Sequence, residues 1–508
     1  MPKTDKKLKS LHESVSEAMS TGFEINPSRM PVRIIERFRK EAQGITDHRA
    51  VWDIEYPLES IILMVFFAVL GGCDTWVDIE IFCRRKKDWL NQFIELPNGH
   101  TPCNDTFSRV FHRIDTDEFQ KMTVRFITEN LVQIKKALGI QESKVKHYAI
   151  DGKQERGTGR LPGTDKEIPD QQTLHIYEST DGVCVMSKKI DKKTNEIPEA
   201  QKLLESMDSL KDVIISGDAM HTQAKHTEII TRKGGDYVFG LKGNQSDLKD
   251  NVELLFTDEK IAEIKKEGIN YFRTSEKAHG QTETREYYMI DCTGMSFNES
   301  GKWKGLHSVM LVIKTCVNNT TNKESKERRY YISSLEDIEM FATIIRQHWS
   351  CEIQHFFQDY VFHQDMNQTV DENAFQNLAC MKKMVLTLIR IYAVLQNLSV
   401  NLTRKKIGWD PEAEIAALLS FYDEETLEKA LNASARSPGK TKRSRIKTME
   451  VREQTAKQNS RHIIRFQRRH MPELFCLFLS EYHESACAEP GITLAFSGLR
   501  GLDQLQSN

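Results

Sequence analysis

The sequence predicts an α/β fold, and three observations support this prediction. Helical periodicity extends to about residue 140, and short apolar runs separated by helical segments follow from residue 146. Two of these runs end in an aspartate with a glycine beside it, which is typical of strands that end at the ligand-binding edge of a sheet. A strand-rich stretch, 268–335, then precedes a long helical zone, 335–402.

The composition of the 508 residues excludes several classes of protein. The net charge of -2 excludes a uniformly basic nucleic-acid coat, although it allows a local basic patch. The ten cysteines form no Cys-x-x-Cys pair, which argues against a disulfide scaffold or zinc ribbon and favours a reducing, cytoplasmic location. The longest apolar run, 61–70, is shorter than the ~20 residues of a membrane-spanning helix. We therefore expect a buried core helix there and no membrane partner.

The N-terminal part of the chain is predicted to contain two segments. Residues 1–48 are charged and weakly patterned, and we expect a loose leader with one helix at 33–43. Residues 49–140 are apolar at helical spacing and are predicted to form a helical module. Its expected helices are 57–70, 76–82, 106–114 and 115–134, the last capped by Asp115 with Glu118 three residues on.

Residues 145–403 carry the predicted α/β domain. Its strands are expected at 147–151, 173–177, 183–190, 212–217 and 236–241, with helices at 199–207 and 222–233. An insertion at about 250–335 is expected to add strands at 271–272, 285–290, 308–316 and 329–332. The remaining residues, 404–508, are predicted to form a helical, basic extension, because the stretch 436–469 contains twelve Lys or Arg and two acidic residues.

Asp151 and Asp218 are the first candidates for chemistry, since each follows a buried apolar run. The strand fixes the position of such a carboxylate, while its end leaves the oxygens exposed. Two of them on neighbouring strands could share divalent ions, and Mg²⁺ prefers carboxylate oxygen. The structural alternative is that each aspartate forms a turn or caps a helix, and for either residue alone this alternative is favoured.

A third acid is expected in the helical zone. Glu352 shares a helix face with His348, Cys351 and His355, at spacings of three and four residues. A zinc site formed by these three neighbours and His363 is an alternative, but their spacing is unlike that of structural zinc sites. The structural alternative is a helix whose histidines and tryptophan pack against the sheet.

Seven short blocks occur in the order in which they occur in one known family. They are 149–153, 193–197, 217–223, 236–245, 279–285, 346–352 and 362–365. Through these blocks the sequence resembles the DDE-type insertion-sequence transposases of the H-repeat-associated (ISAs-type) group, over about residues 50–400. The resemblance implies an RNase H-like catalytic core, with a strand-rich insertion between the second Asp and the Glu, preceded by the helical module.

The resemblance also implies a site and an activity. Asp151, Asp218 and Glu352 would be the catalytic acids and would bind two Mg²⁺ ions, for which Mn²⁺ can substitute. The expected activity is cleavage and strand transfer of insertion-sequence ends. The expected partners are double-stranded DNA, as terminal repeats and as target, and a second copy of the chain in a homodimer. The protein would be cytoplasmic, and nucleoid-associated when bound to DNA.

Two other functions remain open at this point. One is a catalytically inactive DNA-binding relic, and the other is an RNase H-like nuclease without strand transfer. The family usually has Ile-Glu-Asn where this chain has Cys351-Glu352-Ile353, and the stretch from Glu352 to Asp359 is one residue shorter than usual. These differences from the family pattern are compatible with a catalytically inactive DNA-binding relic.

Several basic and polar residues near the blocks are candidates for DNA contacts. They are Lys153, Lys242, Asn244, Arg346, and the two insertion residues His279 and Arg285. Arg346 precedes Glu352 by six residues, so it faces a different side of the helix. Trp349 could stack on an unpaired base, although core packing is the favoured alternative. The helical module, with its basic run 84–87, is expected to bind the terminal repeats, and the basic stretch 436–469 is either a DNA contact or a solvated face.

Overall fold

The computed structural model describes residues 9–18, 30–160, 168–191, 195–278, 280–299 and 301–435. The chain divides into two compact units, Met1–Leu431 and Asn432–Asn508, and the fold below is that of the first unit. The basic stretch 436–469 and His279 lie outside the described residues. None of the described helices is both long enough and apolar enough to cross a bilayer.

The described strands form one nine-stranded sheet. Their bounds are β1 Lys146–Glu155, β2 Gln171–Glu178, β3 Val183–Ile190, β4 Val213–Gly217, β5 Asp236–Leu241, β6 Tyr271–Ala278, β7 Gln281–Asp291, β8 Ser308–Asn318 and β9 Glu324–Ser333. Across the sheet the order is β3-β2-β1-β4-β5-β9-β8-β7-β6. The sheet and the many helices confirm the predicted α/β class, and every predicted strand is present.

Helices precede the strands in the chain, lie between them and follow them. Their bounds are α1 Leu11–Ala18, α2 Val32–Ala42, α3 Leu58–Leu70, α4 Trp76–Arg85, α5 Lys87–Leu90, α6 Asn104–Arg113, α7 Thr116–Ala137, α8 Glu196–Ser206, α9 Ala224–Arg232, α10 Ser246–Leu255, α11 Asp258–Glu267, α12 Ser296–Glu299, α13 Ile338–Tyr360, α14 Glu372–Gln396, α15 Val400–Trp409, α16 Pro411–Phe421 and α17 Glu424–Ala435. The predicted cap of α7 is confirmed, because Asp115 Oδ1 accepts hydrogen bonds from the N–H groups of Asp117 and Glu118.

The half of the sheet from β3 to β5 carries the first two candidate acids. β1, β2 and β3 are antiparallel, whereas β4 and β5 run parallel to β1. Alternate side chains pack on opposite faces, because successive strand residues point to opposite sides. Ile215 belongs to a core formed with α8 and α9, and its neighbour Ile214 belongs to a core formed with α13. The two faces are therefore covered by different helices.

The strands β6–β9 continue the same sheet beyond β5. They are antiparallel, and β9 pairs with β5, with Val238 opposite Ser333. In the chain they lie between Asp218 and Glu352. The helices α10 and α11 precede them and were not predicted. Their mostly exposed, charged sequences bury few residues, among them Leu248, Val252 and Ile264, so the apolar periodicity is weak.

The N-terminal helices do not pack as an isolated module. Their core continues into α14 and α16, which follow the sheet in the chain. The prediction of a loose leader for residues 1–48 is wrong for the described parts. Leu11 and Val15 of α1, and Ile34 and Phe38 of α2, are buried in this same core. Charged residues on the exposed faces of these two helices obscured their short apolar stripes.

Candidate active site

Strands β1 and β4 bring the first two candidate acids to the same edge of the sheet. Ile150 is opposite Gly217 in the parallel pairing, so Asp151 and Asp218 are the next residues on the two strands. Asp218 lies just beyond the end of β4 and is exposed, and its Oδ1 accepts a hydrogen bond from the Met220 N–H (2.9 Å). Asp151 is half-buried within β1, and its Oδ1 accepts one from the Gly152 N–H (3.0 Å).

Helix α13 carries the third candidate acid over these strands. The helix begins after Asp337, whose Oδ1 accepts hydrogen bonds from the N–H groups of Glu339 (2.9 Å) and Met340 (3.0 Å). It packs on β1 and β4, and its Cys351 is buried against Ala149 and Tyr177. The buried Cys351 anchors the helix, while the next residue, Glu352, is exposed.

The three carboxylates interact through their charges. Burial, followed by the charges of Glu352 and Asp218, raises the pKa of Asp151 well above that of an ordinary aspartate. Partial burial also raises the pKa of Glu352, which is otherwise open to solvent. The charges of Arg329 and Lys242 lower this pKa, and the charge of Asp218 raises it. Within the described part of the chain, no lysine or arginine forms an ion pair with any of the three acids. The basic side chain that approaches Asp151 at ion-pair distance is His355.

Buried polar groups connect Asp151 with α14. His355 Nδ1 lies 3.4 Å from Asp151 Oδ2, and His355 Nε2 lies 2.8 Å from His175 Nδ1. His175 Nε2 in turn lies 2.9 Å from Lys383 Nζ. Burial lowers the pKa of His355 to about 3 and that of His175 well below the ordinary value, so both rings are neutral at pH 7. The residue beside Asp151 is therefore an uncharged imidazole, and Lys383 lies beyond it at the end of this chain of contacts.

The zinc site that the helix face suggested is not assembled. His363 Nδ1 lies 2.7 Å from Asp74 Oδ2, and His348 Nδ1 lies 2.8 Å from Ser216 Oγ. Ligand atoms of Asp151, Cys351 and His355 do lie within 4.8 Å of one another. However, of the four residues predicted to hold zinc, this group contains Cys351 and His355 but neither His348 nor His363. The oxygen donors of Asp151, Asp218 and Glu352 instead fit a hard cation such as Mg²⁺.

Lys153 is buried and has no surface available for DNA. Its Nζ lies 2.9 Å from Glu155 Oε2, 2.8 Å from Asp359 Oδ1 and 3.1 Å from Asp365 Oδ1. The predicted contact of Lys153 with DNA stays a prediction, and it would require Lys153 to leave these three carboxylates. The residue points toward α13, as Asp151 does, because the two are separated by two positions on β1.

The other predicted DNA contacts differ in exposure. Lys242 and Asn244 are exposed after β5, and the Asn244 amide donates to the Ala219 carbonyl (2.6 Å). Arg285 is buried on β7 and paired with Glu283, so it is not a free surface cation. The remaining two candidates, Arg346 and Trp349, lie on α13. Arg346 pairs with Glu276 (2.9 Å), and half-buried Trp349 lies under the Arg329 guanidinium (5.4 Å to the ring centre).

A further acid at this edge, Glu196, was not among the residues predicted from the sequence. It lies in the first turn of α8, and its charge acts on Asp151. Burial and the charge of Asp218 raise the pKa of Glu196 above its ordinary value. The available signals were its place in the block 193–197 and the glycine at position 152, because a side chain at 152 would collide with Glu196.

Comparison with known proteins gives matches over most of this structure. The family model described as "Transposase DDE domain" matches residues 146–388, and the one described as "DDE_Tnp_1-associated" matches residues 40–127. The first match contains the whole sheet and α13. The second contains α3 to α6.

Several curated proteins are similar to the chain. It is 30% identical over 393 residues to "Putative transposase YncI" of Escherichia coli O157:H7, covering 75% of this chain and 92% of the relative. It is 31% identical over 257 residues to "H repeat-associated putative transposase YbfD" of Escherichia coli (strain K12), covering 51% and 95%. A shorter match, 38% over 64 residues, is to "Inactive transposase YbfQ" of the same strain, covering 13% and 75%.

Proposed function

Because the chain belongs to the DDE-type transposases of the H-repeat group, we propose that it cuts DNA at the ends of an insertion sequence and joins these ends to target DNA. One observation carries this proposal. Asp151, Asp218 and Glu352 converge at one sheet edge with no lysine or arginine paired to them among the described residues. Carboxylates that repel one another in this way suit a site that binds added cations.

The three acids, Asp151, Asp218 and Glu352, would hold two Mg²⁺ ions. When bound, such a pair activates a water or a DNA 3′-hydroxyl and stabilises the leaving oxygen. The protein's own contribution is to fix the ligands. The sheet register aligns Asp151 with Asp218, and buried Cys351 anchors the helix that carries Glu352. Neutral His355 lies beside Asp151, 3.4 Å from its Oδ2.

We assign the contact with the DNA backbone near this site to Lys242. It is exposed, and its charge reaches Glu352. Asn244, two residues on, fixes the loop through its bond to Ala219 and can contact a phosphate with its remaining N–H. The N-terminal helices, with exposed Arg85 and Lys87, would bind the terminal repeats. A homodimer would bring the two ends together.

We also infer that β1–β5 with α8, α9 and α13 form an RNase H-like core. The support is the order β3-β2-β1-β4-β5, in which three antiparallel strands adjoin two parallel ones. The strands β6–β9 would then be the insertion between the second and third acids, and they would extend the surface beside the site.

The test is cleavage of a duplex that carries the element ends, with Mg²⁺ or Mn²⁺ and a second, unrelated duplex as target. The wild type should cut at the ends, whereas Asp218→Asn and Glu352→Gln should bind the duplex without cutting it. Glu339→Gln, which removes an exposed acid from the same helix as Glu352, is the matched control and should cut normally.

Two other outcomes have a definite meaning. Cutting without joining to the target would indicate a nuclease that lacks strand transfer. Binding without cutting by the wild type would indicate a catalytically inactive DNA-binding relic. The relic is favoured by the residues Cys351 and Ile353 on either side of Glu352, which differ from the family pattern, and by the match to a relative named as inactive.

A further inference from the structure

Glu196 occupies the space that Gly152 leaves open beside Asp151. A Cβ atom built on Gly152 would lie 2.2 Å from Glu196 Oε1 and 2.5 Å from its Oε2. The carboxylate of Glu196 therefore rests directly on the backbone of β1, one residue after Asp151. No side chain other than hydrogen can occupy position 152 unless Glu196 moves away.

His221 lies on the other side of Glu196. Its side chain is almost fully buried, and neither ring nitrogen has a hydrogen-bond partner among the described residues. Its Nε2 lies 3.7 Å from Glu196 Oε2. A Cβ atom built on Gly217 would lie 2.8 Å from the Cβ of His221, so this glycine makes room for the imidazole. An unpartnered buried imidazole thus points at the Glu196 carboxylate.

The two glycines that adjoin the candidate aspartates therefore accommodate Glu196 and His221. Glu196 is partly exposed and reaches the sheet edge from the side covered by α8, whereas Glu352 reaches it from the side covered by α13. The charge of Glu196 acts on both Asp151 and Asp218. Its position in the first turn of α8 also lets the positive end of that helix stabilise its charge.

We propose that Glu196 is a fourth carboxylate ligand of the divalent-cation centre. The inference rests on the proposed function, because it assumes that Asp151, Asp218 and Glu352 bind divalent ions. Two such ions carry four positive charges, and three carboxylates balance three of them. Glu196 supplies the fourth negative charge from the face of the sheet that Glu352 does not reach.

The experiment measures Mn²⁺ binding by the full chain, using calorimetry and the electron paramagnetic resonance signal of free Mn²⁺. Glu196→Gln keeps the size of the side chain and removes its charge. It should weaken the binding of at least one Mn²⁺ ion by about tenfold or more. Glu199→Gln is the matched control, since Glu199 lies one turn further along α8 and pairs with Lys202. It should bind Mn²⁺ as the wild type does.

Gly152→Ala gives an independent test that keeps the charge. Its new methyl group should displace the Glu196 carboxylate and weaken Mn²⁺ binding as Glu196→Gln does. The double variant should be no weaker than either single variant, because both changes remove the same ligand. Additive losses would contradict the inference.

The failure of this inference can be told apart from the failure of the proposed function. If Glu196→Gln binds Mn²⁺ with wild-type affinity and stoichiometry while Asp218→Asn does not, Glu196 is not a ligand and the three-acid site stands. If the wild type itself binds no Mn²⁺, both proposals are wrong.

Discussion

Asp151 and Lys153 are two positions apart on β1 and lie on the same side of the sheet, yet the charges around them differ. Lys153 is a buried cation with three carboxylates around it, Glu155, Asp359 and Asp365. Asp151 is a carboxylate whose charged neighbours are three further acids, Glu352, Asp218 and Glu196. The first cluster contains its own cation, whereas the second has none among the described residues and, under the proposed function, would bind added cations.

This difference separates a structural role from a functional one. A buried carboxylate cluster around a fixed lysine connects β1 with α13 and the segment after it. A carboxylate cluster without a lysine costs stability in the folded protein, and such a cost is typical of a site used for binding or catalysis. If the two clusters differ in this way, removing Lys153 and removing Asp151 should have opposite effects on stability.

The largest effect is expected from Asp151→Asn on DNA cleavage. The variant should lose cleavage by roughly 10³-fold or more, because it removes one of the three carboxylates that would hold the ions. Binding of the element ends, measured by fluorescence anisotropy, should remain within a few-fold of the wild type. Cleavage at the wild-type rate would remove Asp151 from the catalytic centre.

The next largest effect is expected from Lys153→Met on stability. The variant leaves three carboxylates buried without their cation, and breaking a buried pair of this kind costs about 3–5 kcal/mol of unfolding free energy. Urea unfolding with EDTA present measures the loss. Lys188→Met, which removes an exposed lysine paired with Asp117, should cost less than about 1 kcal/mol. Equal losses in the two variants would contradict a structural role for Lys153.

Asp151→Asn should have the opposite effect on stability when metal is absent. Removing one of the mutually repelling charges should raise the free energy of unfolding by about 1 kcal/mol in EDTA. Added Mn²⁺ should then stabilise the wild type, since a ligand that binds only the folded state does so, and should stabilise the variant much less. A variant that is less stable than the wild type in EDTA would show that the cluster around Asp151 is not strained.

The last prediction concerns pH and the cluster around Lys153. Burial raises the pKa of Asp359 to about 7, against about 3.9 for an unfolded aspartate. Between these values the folded protein retains a proton that the unfolded chain releases, so the contribution of Asp359 to stability falls as pH rises from about 4 to about 7.

Asp359→Asn should remove this dependence, and the difference in stability between the variant and the wild type should grow in favour of the variant over that range. Urea unfolding at several pH values measures it. Comparison of the two proteins cancels the opposite trend of the buried histidines, whose lowered pKa values make stability fall as pH decreases. A constant difference would place the proton elsewhere in the cluster.

The fold could be predicted from the sequence wherever burial imposed a regular pattern. The strands Val183–Ile190 and Asp236–Leu241 were located to the residue, because continuous apolar or alternating runs leave little freedom. The helices α10 and α11 were not found, since a mostly solvated helix carries a weak apolar period. The leader was misjudged for the same reason.

The candidate site could be predicted only in part, since its residues come together through tertiary structure. Asp151 and Asp218 were recognisable because each follows a buried apolar run in the sequence, although β1 continues past Asp151 to Glu155. The role of Lys153 was not, because its partners Asp359 and Asp365 are about 200 residues away in the chain. Glu196 was not found for a similar reason. The need for a glycine at position 152 is explained only by the position of α8, which carries Glu196.

The pairing of β5 with β9 also has a consequence for synthesis. Val238 emerges from the ribosome about 95 residues before its partner Ser333, which at roughly 5–20 residues per second is a delay of about 5–20 seconds. During that time one edge of the central parallel strands has unpaired backbone groups, and such an edge promotes aggregation. Glu352 follows later still. The nascent chain thus passes through a stage in which the sheet is open and the acid cluster is incomplete.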